Sequence, residues 1–182
     1  MARVLNAIIV ILELIGMYKV LKGRKFTQLL IYYTQLSNLL TLFASTLFVI
    51  FGPKQIVEVV RYASVCMMIM TFLVTALVLS PMSGKTKELL FSGSGLYQHL
   101  IIPILSAVTY LFVEEKAPLS WAWLTPVLTL IYGIIMLRLN YLEKLEGPYP
   151  FFKIRKLGIK TTMLWMVVLM VVISTISVVV NI

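Results

Sequence analysis

Thr34 and His99 are the residues of this 182-residue chain whose types could form a nucleophile and its base. The chain has one histidine, one cysteine (Cys66) and, among seven acidic residues, no aspartate. That inventory excludes a multi-histidine metal centre, an ordinary set of zinc ligands and a Ser-His-Asp triad. It leaves a hydroxyl activated by histidine, with an amide, a backbone carbonyl or a glutamate as the third, orienting group. No metal and no cofactor are expected. Thr34 lies in YYTQLSNLLT (Tyr32 to Thr41) and His99 in LYQHLIIPIL (Leu96 to Leu105), and in both places polar residues interrupt apolar sequence.

The elements that must position this pair are membrane helices. The hydrophobic fraction is 60% and the mean hydropathy +0.99, far above soluble domains. Six runs are long enough to span a bilayer: Leu5 to Leu21, Leu29 to Phe51, Val59 to Leu79, Leu96 to Val113, Trp121 to Leu139, and Thr162 to Val180. Gly52-Pro53, Pro81 with Gly84, Gly93 and Gly95, Pro118, and Gly147-Pro148 punctuate them. The expected fold is therefore all-α: a polytopic membrane protein of six transmembrane helices in one bundle, with residues 1–182 as a single integral membrane domain. Glu13 and the absence of a small-residue cleavage site mark the first run as a retained helix rather than a signal peptide. Cys66 reads as a packing residue.

The net charge of +9 would suggest nucleic acid in a soluble protein, but the basic residues fall between apolar runs and report topology instead. Twelve of the 16 Lys and Arg residues, Arg24 and Lys25 among them, lie after runs 1, 3 and 5, against Arg3, Lys54, Arg61 and Lys116 on the other face. The positive-inside bias makes the basic loops cytoplasmic and puts both termini opposite. Trp121 and Trp123 suit the outer interface, and Tyr32, Tyr33, Tyr97 and Tyr141 the inner one. Runs 2 and 4 then enter from the same side, and at about 1.5 Å per residue Thr34 and His99 lie at matching depth, roughly 5 to 10 Å below that surface.

On run 2, Thr34, Asn38, Thr41 and Ser45 recur at helical spacing with Ser37 alongside, a stripe that suits interhelical packing or a polar cavity. Thr71 and Thr75, Thr125, Thr129 and Tyr132, and His99, Ser106 and Tyr110 form stripes on runs 3, 5 and 4. Asn38, Ser37 and Tyr132 are candidates to contact substrate or an oxyanion, Asn38 on its one-turn spacing from Thr34. Gln98 adjoins His99 but points to a different helical face. Pro103, four residues after His99, removes a helical donor and favours a bend beside the imidazole. Glu13, in mid-membrane, could orient the histidine, stay protonated, or pair with a cation. GPYPFFKIRK (Gly147 to Lys156) suits a loop on lipid headgroups, one folded back over the pocket, or a plain connection. SGSG (Ser92 to Gly95) and GKTK (Gly84 to Lys87) fit neither a nucleophile elbow nor a P-loop.

Three segments together, YYTQLSNLL (Tyr32 to Leu40), YQHLIIPIL (Tyr97 to Leu105) and GPYPFF (Gly147 to Phe152), resemble the androgen-induced membrane protein family and its prokaryotic relatives. These are small six-helix proteins whose animal members hydrolyse fatty-acid esters of hydroxy fatty acids. The resemblance implies a catalytic threonine and histidine at Thr34 and His99. It departs where an animal member has an acidic residue shortly after the threonine, since Ser37 and Asn38 stand there. The expectation is an intramembrane lipid ester hydrolase whose partners are bilayer lipids and a lipid-ester substrate, in a bacterial cytoplasmic membrane. The alternative is a non-catalytic lipid-binding or transport protein in which Thr34 only hydrogen-bonds His99.

Overall fold

Each apolar run folds as a helix because a chain in lipid must satisfy its backbone polar groups within the segment. The computed structural model describes residues 1–22 and 26–182; Arg24 and Lys25 of the basic loop lie outside the described residues. Among the described residues there is no strand, and six helices are long and apolar enough to cross a membrane: α1 (Ala2–Leu21), α2 (Tyr33–Phe51), α3 (Gln55–Ser83), α4 (Leu96–Val113), α5 (Leu119–Tyr141) and α6 (Ile159–Val179). The protein is an all-α, multi-pass integral membrane protein.

The boundaries differ most from the sequence expectation in α2 and α3, each for a local reason. A short helix, Phe26–Leu29, closes before α2, the Tyr32 N–H donates back to the Leu29 carbonyl at 3.0 Å, and Tyr32 is extended, so α2 starts at Tyr33 rather than Leu29. Conversely, α3 runs from Gln55 through Pro81 to Ser83, longer than Val59 to Leu79. It passes the proline by opening into a π-type turn over Thr75–Leu79, with the Ser80 N–H reaching back to the Thr75 carbonyl. The first turns of α4, Leu96–Ile101, open in the same way, with the Ile102 N–H on the Tyr97 carbonyl. Both wide turns end two residues before a proline, Pro81 and Pro103. The irregularity expected at Pro103 is therefore a π turn on its N-terminal side, and such turns gather at functional sites.

α3 is the central helix, packed against α2, α4, α5 and α6, while α1 covers α2 and α4. The main core joins Tyr62, Val65, Cys66, Met70 and Tyr110 to Tyr132, Phe151, Phe152, Leu169 and Ile173, and a smaller one joins Ile9, Met68 and Ile102. Apolar side chains such as Leu77 and Phe112 point outward, as a lipid-facing surface requires. Tyr33 belongs to the core rather than to an interfacial belt, with its hydroxyl 2.8 Å from Thr129 Oγ1. Toward the end of the bundle away from the basic loops, the Arg61 guanidinium is fully buried. Its Nε donates to Glu114 Oε1 at 3.2 Å and Nη1 to Ser106 Oγ at 2.8 Å, while Asn6 Nδ2 donates to the same Glu114 oxygen at 2.8 Å.

Candidate active site

A cavity of about 670 Å³ opens at the basic end of the bundle, and both Thr34 and His99 line it. Lys19 and Lys22 from α1 and its continuation, Gln35 from α2, Gln98 from α4 and Tyr149 from the loop after α5 are among the other polar residues of its wall. Lys19 and Lys22 line it and, among the described residues, no carboxylate does, so the cavity is cationic.

His99 is set by the backbone beside it. Its Nδ1 lies 2.8 Å from the Leu89 carbonyl oxygen. A carbonyl can only accept, so Nδ1 carries the proton and the neutral ring keeps its lone pair on Nε2. The orienting group is thus a backbone carbonyl, one of the three kinds of partner open from sequence, and Glu13 does not serve: neither of its carboxylate oxygens has a hydrogen-bond partner. The short helix Thr86–Leu90 presents the Leu89 carbonyl, and Gly95 lets the two segments close up. A Cβ at Gly95 would stand 2.4 Å from Leu89 O and 2.7 Å from Glu88 O, an approach that only glycine permits. The SGSG stretch therefore has a structural use that its sequence did not disclose.

Thr34 sits in the first turn of α2. Its Oγ1 and its backbone N–H both meet the Tyr149 hydroxyl at 3.2 Å. Its carbonyl accepts Ser37 Oγ at 2.9 Å and Asn38 Nδ2 at 2.7 Å. One hydrogen of the Asn38 amide, the group expected to face an oxyanion, is engaged by this bond, so Asn38 and Ser37 both hold the Thr34 backbone. Ser37 Oγ also meets Thr71 Oγ1 at 2.9 Å, fixing α2 to α3. No hydrogen bond among the described residues joins Thr34 to His99. The structure brings them to one cavity rather than into contact.

Gln98 faces this cavity too, contrary to the helical-face argument. Gln35 Nε2 donates to Gln98 Oε1 at 2.7 Å and Gln98 Nε2 returns a longer bond at 3.4 Å. The wide turn over Leu96–Ile101 explains the difference, because more residues per turn leave Gln98 and His99 closer in direction than α-helical spacing would.

Beyond Thr34 lies a second, apolar pocket of about 40 Å³, lined by Met70, Val74, Tyr132, Gly133, Phe152, Met166 and Met170, with Thr34, Leu79 and Tyr149 shared between the two. Tyr132 closes its side: its hydroxyl donates to the Ile31 carbonyl at 2.8 Å and accepts the Tyr33 N–H at 3.1 Å. Pro103 is buried in α4 and lines neither space. The GPYPFF segment takes the folded-back course, with Tyr149, Phe151 and Phe152 buried and Tyr149 stacked on Phe151 at 5.3 Å. Burial raises the Tyr149 phenol above its ordinary value, so it stays a neutral donor beside Thr34. Sequence reasoning missed Tyr149, Gln35 and the Leu89 carbonyl. Only Tyr149 carried a signal, its place in a Pro- and aromatic-rich loop.

No family model, curated protein or solved structure matches the chain.

Proposed function

We propose that the chain is an intramembrane lipid ester hydrolase in which Thr34 is the nucleophile and His99 its base. The observation that carries the reading is that Thr34 and a histidine anchored through Nδ1 line one cavity of about 670 Å³. His99 Nε2 takes the Thr34 proton as Oγ1 attacks the ester carbonyl, and the imidazolium returns that proton to the departing alkoxide. Water from the cavity then attacks the acyl-threonine, giving up a proton to Nε2, and the acid leaves as the threonine oxygen is reprotonated. Because the two side chains share no hydrogen bond, substrate binding or one bridging water closes the gap, as is common for unliganded catalytic pairs. Tyr149 OH, beside Thr34 Oγ1, donates to the tetrahedral oxygen.

The two spaces suit an amphiphile. The acyl chain enters the apolar pocket, whose Met70, Met166 and Met170 adapt to widen it, and the polar end stays among Lys19, Lys22 and the glutamines. Fatty-acid esters of hydroxy fatty acids have this character. In this reading the basic loops face the cytoplasm of a bacterial cell, both termini lie opposite, and the cavity draws water from the inner interface.

The missing Thr34–His99 bond favours the rival reading, a lipid-binding or transport protein. Hydrolysis of a branched fatty-acid ester by the purified protein in detergent, beside Thr34→Ala and His99→Ala shown to be folded, decides between them. Activity lost in both variants supports the dyad. Absence of activity on any lipid ester, with lipid binding intact in Thr34→Val, supports the rival.

A further inference from the structure

α2 and α4 carry the two residues proposed to react, and among the described residues one pair of side chains hydrogen-bonds these helices to each other, Gln35 and Gln98. The Gln35 amide donates to Gln98 Oε1 at 2.7 Å, and the Gln98 amide donates back to Gln35 Oε1 at 3.4 Å. Both side chains are buried, and both line the larger cavity. Gln35 follows Thr34 directly and Gln98 directly precedes His99, so each glutamine is about 3.8 Å, Cα to Cα, from one member of the proposed pair.

The other anchors of the site act differently. Tyr149 ties Thr34 to the loop after α5, and the Leu89 carbonyl ties His99 to the short helix Thr86–Leu90. Neither fixes Thr34 relative to His99. The glutamine pair does, because two carboxamides that exchange hydrogen bonds must meet edge to edge, which constrains both the separation of their helices and their rotation. An apolar contact in the same place would let the helices slip. α1 packs on the pair and limits its movement: a Cβ at Gly16 would lie 3.3 Å from both Gln98 Cγ and Tyr97 Cβ, and Lys19 Nζ sits 4.4 Å from the centre of the Tyr97 ring. Amide pairs also join helices in lipid with no part in any chemistry. What sets this one apart is its place, next to both groups in sequence and on the wall of the cavity they share.

We propose that Gln35 and Gln98 are positioning residues for the Thr34 and His99 pair. Their reciprocal bonds set the distance and rotation between α2 and α4 at the cavity, and so the approach of His99 Nε2 to Thr34 Oγ1. The proposal rests on the hydrolase reading and names the part that holds its two halves in register.

The test is steady-state hydrolysis of a branched fatty-acid ester by the full chain in detergent, with Gln35→Met, Gln98→Met and the double variant, each shown to be folded. Methionine keeps the length of the side chain and removes the hydrogen bonds. Each single variant should lower kcat by about tenfold or more while KM stays within about twofold. The double variant should be no slower than the singles, since either substitution breaks the same pair. Added to His99→Ala, Gln98→Met should cost no further rate, because no base remains to be aimed, whereas a purely structural role would lower that residual rate too. If the methionine variants do not fold, Gln98→Glu and Gln98→Asn decide. The glutamate still accepts from Gln35 Nε2 and should keep kcat within a few-fold of wild type, while the asparagine is one methylene too short and should not. Wild-type kcat in the methionine variants, a raised KM with kcat intact, losses that multiply in the double variant, or Gln98→Glu no faster than Gln98→Asn would overturn the positioning role alone. A wild type inactive on every lipid ester would overturn it together with the hydrolase reading.

Discussion

The Tyr149 hydroxyl stands 3.2 Å from both Oγ1 and the backbone nitrogen of Thr34, tying the loop after α5 to the first turn of α2 across 115 residues of sequence. That one phenol closes the site and touches the proposed nucleophile. Tyr149→Phe keeps the ring, and with it the stacking on Phe151, but removes the hydroxyl. Turnover of a lipid ester should fall by about 10²-fold, as for a lost oxyanion donor, while the melting temperature changes by only a few degrees. An unchanged rate with Tyr149→Phe would remove Tyr149 from the chemistry.

The same residue makes a pH prediction of definite sign. Burial raises its folded-state value above the ordinary value of about 10, so above that pH the unfolded chain loses a proton that the folded chain keeps. The unfolded state is then favoured, and stability falls as pH rises past about 10. The melting temperature of the wild type should drop more steeply there than that of Tyr149→Phe. Parallel curves for the two proteins would contradict the assignment.

How much of this was legible in sequence depended on which interactions are periodic. The helices and the buried stripe of Thr34, Asn38, Thr41 and Ser45 follow from spacing alone, because burial in a bundle repeats with the helical turn. Pro103 announced an irregularity, but its form, a π turn that swings Gln98 toward His99, depends on how the chain relieves a missing donor. The Leu89 carbonyl was illegible, since a backbone oxygen leaves no residue type behind. Tyr149 was half legible: its loop stood out, while its contact with Thr34 depends on how α5 and α2 pack. The bond from Asn38 to the Thr34 carbonyl was not legible, because spacing gives neighbours and not which side-chain atoms meet the backbone.

Gly95 offers a test of the histidine's anchor without touching the histidine. Any Cβ there collides with the Leu89 and Glu88 carbonyls, so Gly95→Ala must push the Thr86–Leu90 segment away from α4. Leu89 O then no longer holds Nδ1, and the ring loses its fixed tautomer and direction. Activity should fall by at least about tenfold while unfolding stays cooperative. Ester hydrolysis by Gly95→Ala at the wild-type rate would show that the carbonyl does not set the base.

The Arg61 and Glu114 pair carries a stability prediction apart from the site. Both side chains are essentially inaccessible, at 0% and 1%. Removing one partner strands the other charge, so Glu114→Leu should destabilise the protein by about 3–5 kcal/mol, read from unfolding in detergent. Replacing both, as Arg61→Met with Glu114→Leu, should recover most of that loss, because the interior no longer holds an unpaired ion. A double variant as unstable as the single one would mean that Asn6 and Ser106 depend on the pair for their own partners.

Gly133 offers a test of the apolar pocket that leaves Thr34, Tyr149 and His99 untouched. It lies on α5 at the wall of the 40 Å³ pocket, where a Cβ would stand 2.5 Å from Met166 Cε, the free end of a flexible side chain. Met166 can move, so Gly133→Leu fills the pocket, and losing a helical glycine offsets some of the crowding by up to about 1 kcal/mol. If the acyl chain lies there, hydrolysis of long-chain esters should fall by about tenfold or more while short-chain esters are still cleaved, because Thr34, Tyr149 and His99 keep their places. The comparison needs both substrates with one enzyme preparation. Equal loss on both lengths would mean that leucine disturbs Thr34 itself, and no loss on either would move the acyl chain out of this pocket and into the larger cavity.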